Sequence, residues 1–335
     1  MSTGKNVALA LSSGGPRGFA YIGAIEELSR RGYNITSVAG ASIGSLVGGI
    51  YAAGRMNEFK EWLFTLDAWR LFSLMDISLS RNHFVKGDKI IEALQEIVPQ
   101  TNIEELAIPY RAVATDLYTG EEILFDKGDL FTAIRASISI PSLFRPVKYG
   151  MTTLVDGCVS NPLPLSRVVR RAGDILMAFD VNDVDIDGIN RTLLAEHLEQ
   201  ERADAFEKEK LEQVRMMLHT VQAHKEVGLL DRLKYAGSRS VEIVKDVLAF
   251  REENPESEKT EYGDTYYNLL DRSFSLMNHR LSEMAIALYK PEVVVKMPFD
   301  TYGDIADYAK GQEISEIGRE LMRKALDEYE MKQGV

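Results

Sequence analysis

The sequence predicts an α/β protein in which helices enclose a mainly parallel central sheet. Through residues 1–183, short apolar runs suited to buried parallel strands alternate with helical stretches. A long segment rich in Glu, Lys, Leu and Met follows, which predicts a helical insertion near the C-terminal half. We therefore expect a core over 1–183, an insertion over 184–289, and a closing strand and helix of the core over 290–335.

The composition excludes several classes of function. The 335 residues include 39 basic and 51 acidic side chains, so the net charge is −12, which argues against nucleic acid as a partner. A single cysteine excludes an intramolecular disulfide, and no C-x-x-C or H-E-x-x-H pattern appears, so we expect no metal and no cofactor. The N-terminus is short and polar and leads directly into a strand, which makes a cytoplasmic location the simplest expectation.

The first predicted strand, Asn6–Leu11, leads into the glycine-rich loop Ser12–Gly18 and then a helix over Phe19–Arg31. The spacing of the glycines in this loop does not match the dinucleotide-binding fingerprint, and the Gly-Lys-Ser/Thr sequence of a phosphate-binding loop is missing. The loop offers closely spaced backbone N–H groups, which stabilise an oxyanion when they converge on one point. The residues predicted to form this oxyanion hole are Gly14, Gly15, Arg17 and Gly18. The Arg17 side chain either fixes the loop or adds positive charge.

The second strand ends in a pentapeptide of the form G-x-S-x-G. The strand Thr36–Ala39 runs into Gly40–Gly44 (GASIG), and an apolar helical stretch, Ser45–Ala53, follows. In this strand–turn–helix context the pattern indicates a nucleophilic serine on a strained turn, with the helix N-terminus aimed at the reacting centre. Ser42 is the candidate nucleophile.

A third candidate lies downstream, where the strand Thr153–Val155 runs into Asp156 and Gly157. An aspartate at the end of a strand projects its carboxylate from the sheet edge, although an Asp-Gly pair is also a common turn.

Further strands and helices are predicted elsewhere in the chain. The strands are Tyr110–Thr115, Glu122–Phe125, Asp174–Val181 and Pro291–Met297, the helices are Leu193–Phe250, Thr265–Tyr289 and Ile314–Lys332, and a charged break covers Arg251–Gly263.

Together the three motifs resemble the patatin-like phospholipase family. The family's G-G-G-x-R/K-G loop stands here as Ser13–Gly18, with serine in place of the first glycine, and its G-x-S-x-G elbow is matched in full. Its D-G-A/G motif is matched at Asp156 and Gly157, with Cys158 where a small residue is usual. Three further stretches are similar to the family: Val85–Asp88, Ala114–Asp116 and Ala136–Pro141.

The resemblance implies an α/β/α sandwich and a serine acyl hydrolase that uses a Ser–Asp dyad. Asp156 then acts as general base, Ser42 attacks an ester carbonyl, and water releases the acid from an acyl-enzyme. No histidine is needed, and none of His83, His197, His219, His224 and His279 stands in a strand-end motif. The expected partner is a lipid or other ester substrate, while transient contact with a membrane surface and homo-oligomerisation stay open.

Two other functions compete with the hydrolase. The first is a non-enzymatic adaptor on the same fold, whose helical segment binds a partner. The second is a nucleotide-binding protein that uses the loop at Gly14, which the glycine spacing disfavours. The segment over 184–289 also has three readings: a helix pair packed on the core, a lid or acyl-chain groove over Ser42, or a dimer interface. The sequence does not separate them, nor does it name the ester that is cleaved.

Overall fold

An eight-stranded sheet forms the centre of the computed structural model, which describes residues 5–74, 83–223, 266–303 and 305–334. The strands are β1 (Asn6–Leu11), β2 (Asn34–Ala41), β3 (His83–Val85), β4 (Tyr110–Asp116), β5 (Glu122–Phe125), β6 (Ser142–Phe144), β7 (Val147–Tyr149), β8 (Thr152–Asp156), β9 (Ile175–Asp183) and β10 (Val293–Pro298). The strand order in the large sheet is β10-β9-β1-β2-β4-β8-β7, with β5 also paired to β4.

The long strands of this sheet run parallel, which confirms the predicted fold class. The pairs β10–β9, β9–β1, β1–β2 and β2–β4 are parallel, whereas β5, β8 and β7 are antiparallel to their neighbours. The remaining strands, β3 and β6, pair with each other as a separate two-stranded ribbon. Nearly every residue of β1, β2 and β9 is buried, which explains why these strands read as continuous apolar runs.

Helices occupy most of the remaining described chain. They are α1 (Ala20–Arg30), α2 (Ile43–Ala52), α3 (Met56–Phe64), α4 (Ala68–Leu74), α5 (Asp88–Ile97), α6 (Leu130–Ser137), α7 (Ile186–Ala223), α8 (Tyr266–Tyr289) and α9 (Gly311–Gln333). The predicted helix at Thr265–Tyr289 is therefore present as α8, and the one at Ile314–Lys332 as α9. None of the described helices is long and apolar enough to cross a membrane.

The chain divides into two compact units. One comprises Met1–Val184 together with Leu270–Val335, and contains every strand of the described residues. The other comprises Asp185–Leu269 and contains α7, which begins before the predicted start at Leu193. The rest of that predicted helix, from residue 224, and the predicted charged break lie outside the described residues.

The two ends of the first unit meet where α1 packs against α9. A Cβ atom on Gly23 would lie 1.8 Å from Ser315 O, and one on Gly318 would lie 1.9 Å from Ala20 O, so the helices touch backbone to backbone. Beside this contact, Arg31 pairs with Glu330 at 2.9 Å. The C-terminal helix is therefore part of the same core as the first strand.

Candidate active site

Ser42 stands at the sharp turn between β2 and α2. Its backbone angles are φ 54° and ψ −126°, a region that non-glycine residues rarely adopt. The flanking glycines make this turn feasible. A Cβ on Gly40 would lie 2.3 Å from the Gly44 backbone, and a Cβ on Gly44 would lie 2.4 Å from Leu11 O. The G-x-S-x-G pattern thus reflects steric need at both glycines.

Asp156 reaches Ser42 from the other side of β4. The Ser42 Oγ donates a hydrogen bond to Asp156 Oδ2 at 2.5 Å, and both side chains are buried. The second carboxylate oxygen, Oδ1, accepts the backbone N–H of Cys158 at 2.8 Å. Asp156 is the last residue of the antiparallel strand β8, where it lies opposite Ala114 of β4. The residue before Ala114 on β4 pairs with Ala41, the last residue of β2. The two predicted residues are therefore brought into direct contact.

Burial sets the acidity of this pair. Desolvation raises the pKa of Asp156 to about 6, against the opposing effect of the hydrogen bonds from Ser42 and Cys158. At neutral pH the carboxylate is thus largely ionised and can accept a proton. Burial, reinforced by the negative charge of Asp156, raises the pKa of the Cys158 thiol well above its ordinary value, so this cysteine stays protonated.

The glycine loop lies against the turn that carries Ser42. Gly14 has φ 152° and Gly15 has φ 57°, and neither backbone N–H has a protein acceptor within the described chain. A Cβ on Gly18 would lie 2.3 Å from Ile43 Cγ2, so the loop touches the residue that follows Ser42. Within the described chain, unpaired N–H donors therefore lie on the loop that borders Ser42.

Arg17 fixes this loop to the sheet. Its Nε donates to Val181 O at 3.0 Å and its Nη1 donates to Phe299 O at 2.8 Å, and the side chain is buried. Of the two roles considered for the Arg17 side chain, fixing the loop and adding positive charge, these contacts correspond to fixing the loop. Its guanidinium is directed at one carbonyl within β9 and one just after the end of β10, so any part that Arg17 plays in an oxyanion hole is through its backbone.

Two serines that carry no role in the sequence-based prediction support the pair. Ser137 Oγ accepts the Ser42 backbone N–H at 2.9 Å and donates to Val113 O at 2.6 Å, which holds the strained turn against β4. The carbonyl of Ser139 accepts the Asp156 backbone N–H at 2.9 Å. Both lie in Ala136–Pro141, which the resemblance had singled out without a function. The signal in the sequence that could have identified them is the pair of serines, Ser137 and Ser139, at the end of α6.

The histidine side chains that the structure describes do not contact Ser42 or Asp156. His279 Nδ1 lies 3.0 Å from Asn182 O, and His197 pairs with Glu201 on α7. The side chains of His83, His219 and His224 lie outside the description.

Asp183, His279 and Glu283 together form a cluster with the spacing of a metal site. Lys296 Nζ already binds Asp183 at 3.1 Å and Glu283 at 2.6 Å. The chain therefore supplies its own cation there.

Comparison with known proteins is consistent with these motifs. A family model described as patatin-like phospholipase matches residues 9–169. An uncharacterized NTE family protein of Mycobacterium bovis is 32% identical, over 98% of this chain and 94% of its own length. Lysophospholipase NTE1 of Debaryomyces hansenii is 29% identical over 54% of this chain, which corresponds to 12% of the yeast protein. Among solved structures, VipD from Legionella pneumophila aligns over 57% of this chain and 53% of its own, with 15% identity and a TM-score of 0.34. The motifs and the near full-length relative show that the chain belongs to the patatin-like phospholipase family, among its NTE family proteins.

Proposed function

We propose that this protein is a serine acyl hydrolase that cleaves carboxylic esters of lipids with Ser42 as nucleophile and Asp156 as general base. Family membership supports lipid ester hydrolysis in general. The observation that carries the finer assignment is the 2.5 Å hydrogen bond from Ser42 Oγ to Asp156 Oδ2 at the strained turn.

The reaction follows from this contact. Ser42 Oγ attacks the ester carbonyl carbon while its proton passes to Asp156 Oδ2, and the carbonyl oxygen becomes an oxyanion. The N–H groups of the glycine loop and the N-terminal end of α2 stabilise that negative charge. The intermediate collapses to an acyl-enzyme, and protonated Asp156 returns the proton to the leaving alcohol. Water then repeats the sequence, with Asp156 again as base, and releases the fatty acid.

The pKa of Asp156 makes the proton transfer easier but does not account for catalysis alone. A shift from 3.8 to about 6 is worth about 3 kcal/mol toward accepting the serine proton. Serine is a far weaker acid than a carboxyl group, so most of the barrier is left for the oxyanion hole. Each backbone donor there contributes roughly 3 kcal/mol. The glycine loop is therefore as necessary to the proposal as the dyad.

Among lipid esters, we propose a lysophospholipid as the substrate class. The yeast relative that matches 54% of this chain is named a lysophospholipase. Fatty-acid release from lysophosphatidylcholine, compared with diacyl phosphatidylcholine and a triacylglycerol, tests this choice. Preference for either of the other lipids would reject the lysophospholipid while leaving the dyad in place.

The dyad is tested by labelling with a fluorophosphonate, which reacts with an activated serine. We expect the wild type to be labelled and Ser42→Ala to be unlabelled. Ser37 is a matched serine in the middle of β2, and its Oγ donates to Val169 O, so Ser37→Ala should be labelled like the wild type. A folded wild type that takes no label and hydrolyses no ester would favour the adaptor function.

The dyad also predicts non-additive losses. Ser42→Ala and Asp156→Asn should each remove most ester hydrolysis, and the double variant should be little worse than either, because the two residues act in one step. Turnover of a soluble short-chain ester, with folding checked by circular dichroism, measures all three variants. Losses that multiply in the double variant would mean that the residues act independently.

A further inference from the structure

We propose that Asn182 is a positioning residue that aims the backbone N–H of Gly14 at the reacting oxygen, by holding the carbonyl of Ser13. This inference rests on the proposed hydrolase and assigns one donor of its oxyanion hole together with the side chain that orients it.

The Ser13 carbonyl is held by two buried side chains. Asn182 Nδ2 donates to Ser13 O at 2.9 Å, and Ser12 Oγ donates to the same oxygen at 2.8 Å. Ser12, Ser13 and Asn182 are each at most 2% exposed. The peptide unit that joins Ser13 to Gly14 therefore has little freedom to rotate.

The direction of that carbonyl fixes the direction of the following N–H. In a trans peptide the C=O and the N–H of one unit point to opposite sides. Asn182 belongs to β9, which lies on one side of β1, while β2 lies on the other. With the Ser13 carbonyl turned toward β9, the Gly14 N–H is turned toward β2, whose C-terminal end carries Ser42.

The preceding peptide provides an internal contrast. Tyr21 Oη donates to Ser12 O at 2.8 Å, and the Ser13 N–H of that same unit donates to Pro162 O at 2.8 Å. Both polar groups of this peptide are used within the protein. Among the residues that the structure describes, the next peptide is held only by its carbonyl, so its N–H is left for a ligand.

Asn182 is itself held in place. Asp180 Oδ1 accepts the Asn182 backbone N–H at 3.1 Å and the side-chain Nδ2 at 3.2 Å. The side-chain nitrogen also contacts Ser12 Oγ at 3.3 Å. This network places the amide where it meets Ser13 without a contact to Ser42 or Asp156, so Asn182 acts through the loop.

The test compares an oxygen ester with its thionoester, in which sulfur replaces the carbonyl oxygen. Sulfur accepts hydrogen bonds poorly, so a variant that misdirects an oxyanion donor loses rate mainly on the oxygen ester. We expect Asn182→Leu to lower kcat on the oxygen ester by a factor of ten to a hundred, less than the roughly hundredfold or greater loss of a whole donor, with KM nearly unchanged. Its loss on the thionoester should be several-fold smaller.

Two further variants complete the experiment. Ser12→Ala removes the other hydrogen bond to Ser13 O and should show the same selective loss, which decides the question if Asn182→Leu does not fold. Thr36→Val is the control for a lost buried hydroxyl. Thr36 Oγ1 donates to Asp174 Oδ2 at 2.7 Å near the opposite end of β2, so this variant should keep kcat on both esters.

The outcomes separate this inference from the proposed function. Equal losses on both esters, or unchanged kcat in folded Asn182→Leu and Ser12→Ala, would overturn the positioning role while the hydrolase stands. A wild type that hydrolyses no ester and takes no fluorophosphonate would overturn the proposed function and this inference with it. A selective loss on the oxygen ester in either variant, with Thr36→Val unaffected, supports the role.

Discussion

At the residue scale, the buried carboxyl of Asp156 should set the pH dependence of the proposed reaction. Its pKa is raised to about 6, and only the ionised form can accept the Ser42 proton. We therefore expect kcat/KM on a soluble ester to be constant above pH 7 and to fall toward tenfold per pH unit below about pH 6. An inflection near 4, the ordinary value for aspartate, would show that burial does not control this group.

The pH dependence needs a control for Asp180, because desolvation raises the pKa of this carboxyl to about 6 as well. In Asp180→Asn the inflection near pH 6 should persist, whatever the plateau rate. Loss of the inflection in that variant would assign the pH dependence to Asp180 instead.

The residues of this site differ in how visible they are in the sequence. Ser42 and Asp156 stand in local motifs whose glycines and strand ends carry the signal. Ser137 contacts Ser42, which is 95 positions away, and Asn182 contacts Ser13, which is 169 positions away, and no local pattern reports either contact. The contact between the proposed nucleophile and the proposed base could therefore be anticipated from the sequence, whereas the side chains that hold the turn and the loop emerge only when distant strands pair.

At the element scale, the glycine loop depends on backbone conformations that other residues avoid. Gly15 has φ 57°, and a Cβ there would lie 3.4 Å from Tyr308 Oη, in ordinary van der Waals contact. Gly15→Ala should therefore be strained by conformation more than by collision, at about 1 kcal/mol. Because the strain is relieved by turning the loop peptides, we expect turnover to fall at least tenfold in a protein that still folds.

Gly32→Ala is the matched control for this change. Gly32 has φ 76° in a turn after α1, and a Cβ there would have no atom within 4 Å. Thermal unfolding should show similar destabilisation in both alanine variants, while ester turnover falls only for Gly15→Ala. Equal turnover in the two variants would mean that the loop is only a tight turn and takes no part in ester hydrolysis.

The direction of the short antiparallel strands is the element-level property that the sequence did not reveal. The apolar runs predicted β1, β2, β4 and β9 as strands, yet nothing in a five-residue run such as β8 reports whether it is parallel or antiparallel to its neighbour. The antiparallel course of β8 is what allows Asp156 to end opposite Ala114 and meet Ser42. Three-residue strands such as β3, β6 and β7 are too short for any periodicity to appear.

At the scale of the whole molecule, the sheet is completed by residues far apart in the chain. The strands β9 and β10 are parallel neighbours, but β9 ends at Asp183 and β10 begins only at Val293. The whole second unit, Asp185–Leu269, lies in the stretch of sequence that connects them. The composition of the C-terminal segment predicted a strand and helix that return to the core, and β10 and α9 are found there. The reason is chemical: the alternating burial of β10 and the apolar face of α9 need a core to cover them.

Closure of the core depends on the contact between α1 and α9, which makes Gly318 a sensitive position. A methyl group on Gly318 would lie 1.9 Å from Ala20 O, a backbone atom that cannot rotate away, so the two helices must separate. We expect Gly318→Ala to lower the free energy of unfolding by about 1–3 kcal/mol, as overpacking of a close contact does. Urea unfolding measures this value.

Glu320→Ala, on the exposed face of the same helix, is the control and should change stability by less than about 0.5 kcal/mol. Because α1 follows directly from the glycine loop, displacement of α1 in Gly318→Ala should also move the loop. Ester turnover of this variant should therefore fall even at temperatures where the protein is fully folded, whereas turnover of Glu320→Ala should not. Wild-type stability and turnover in Gly318→Ala would mean that α9 does not pack against α1 closely enough to hold the loop in place.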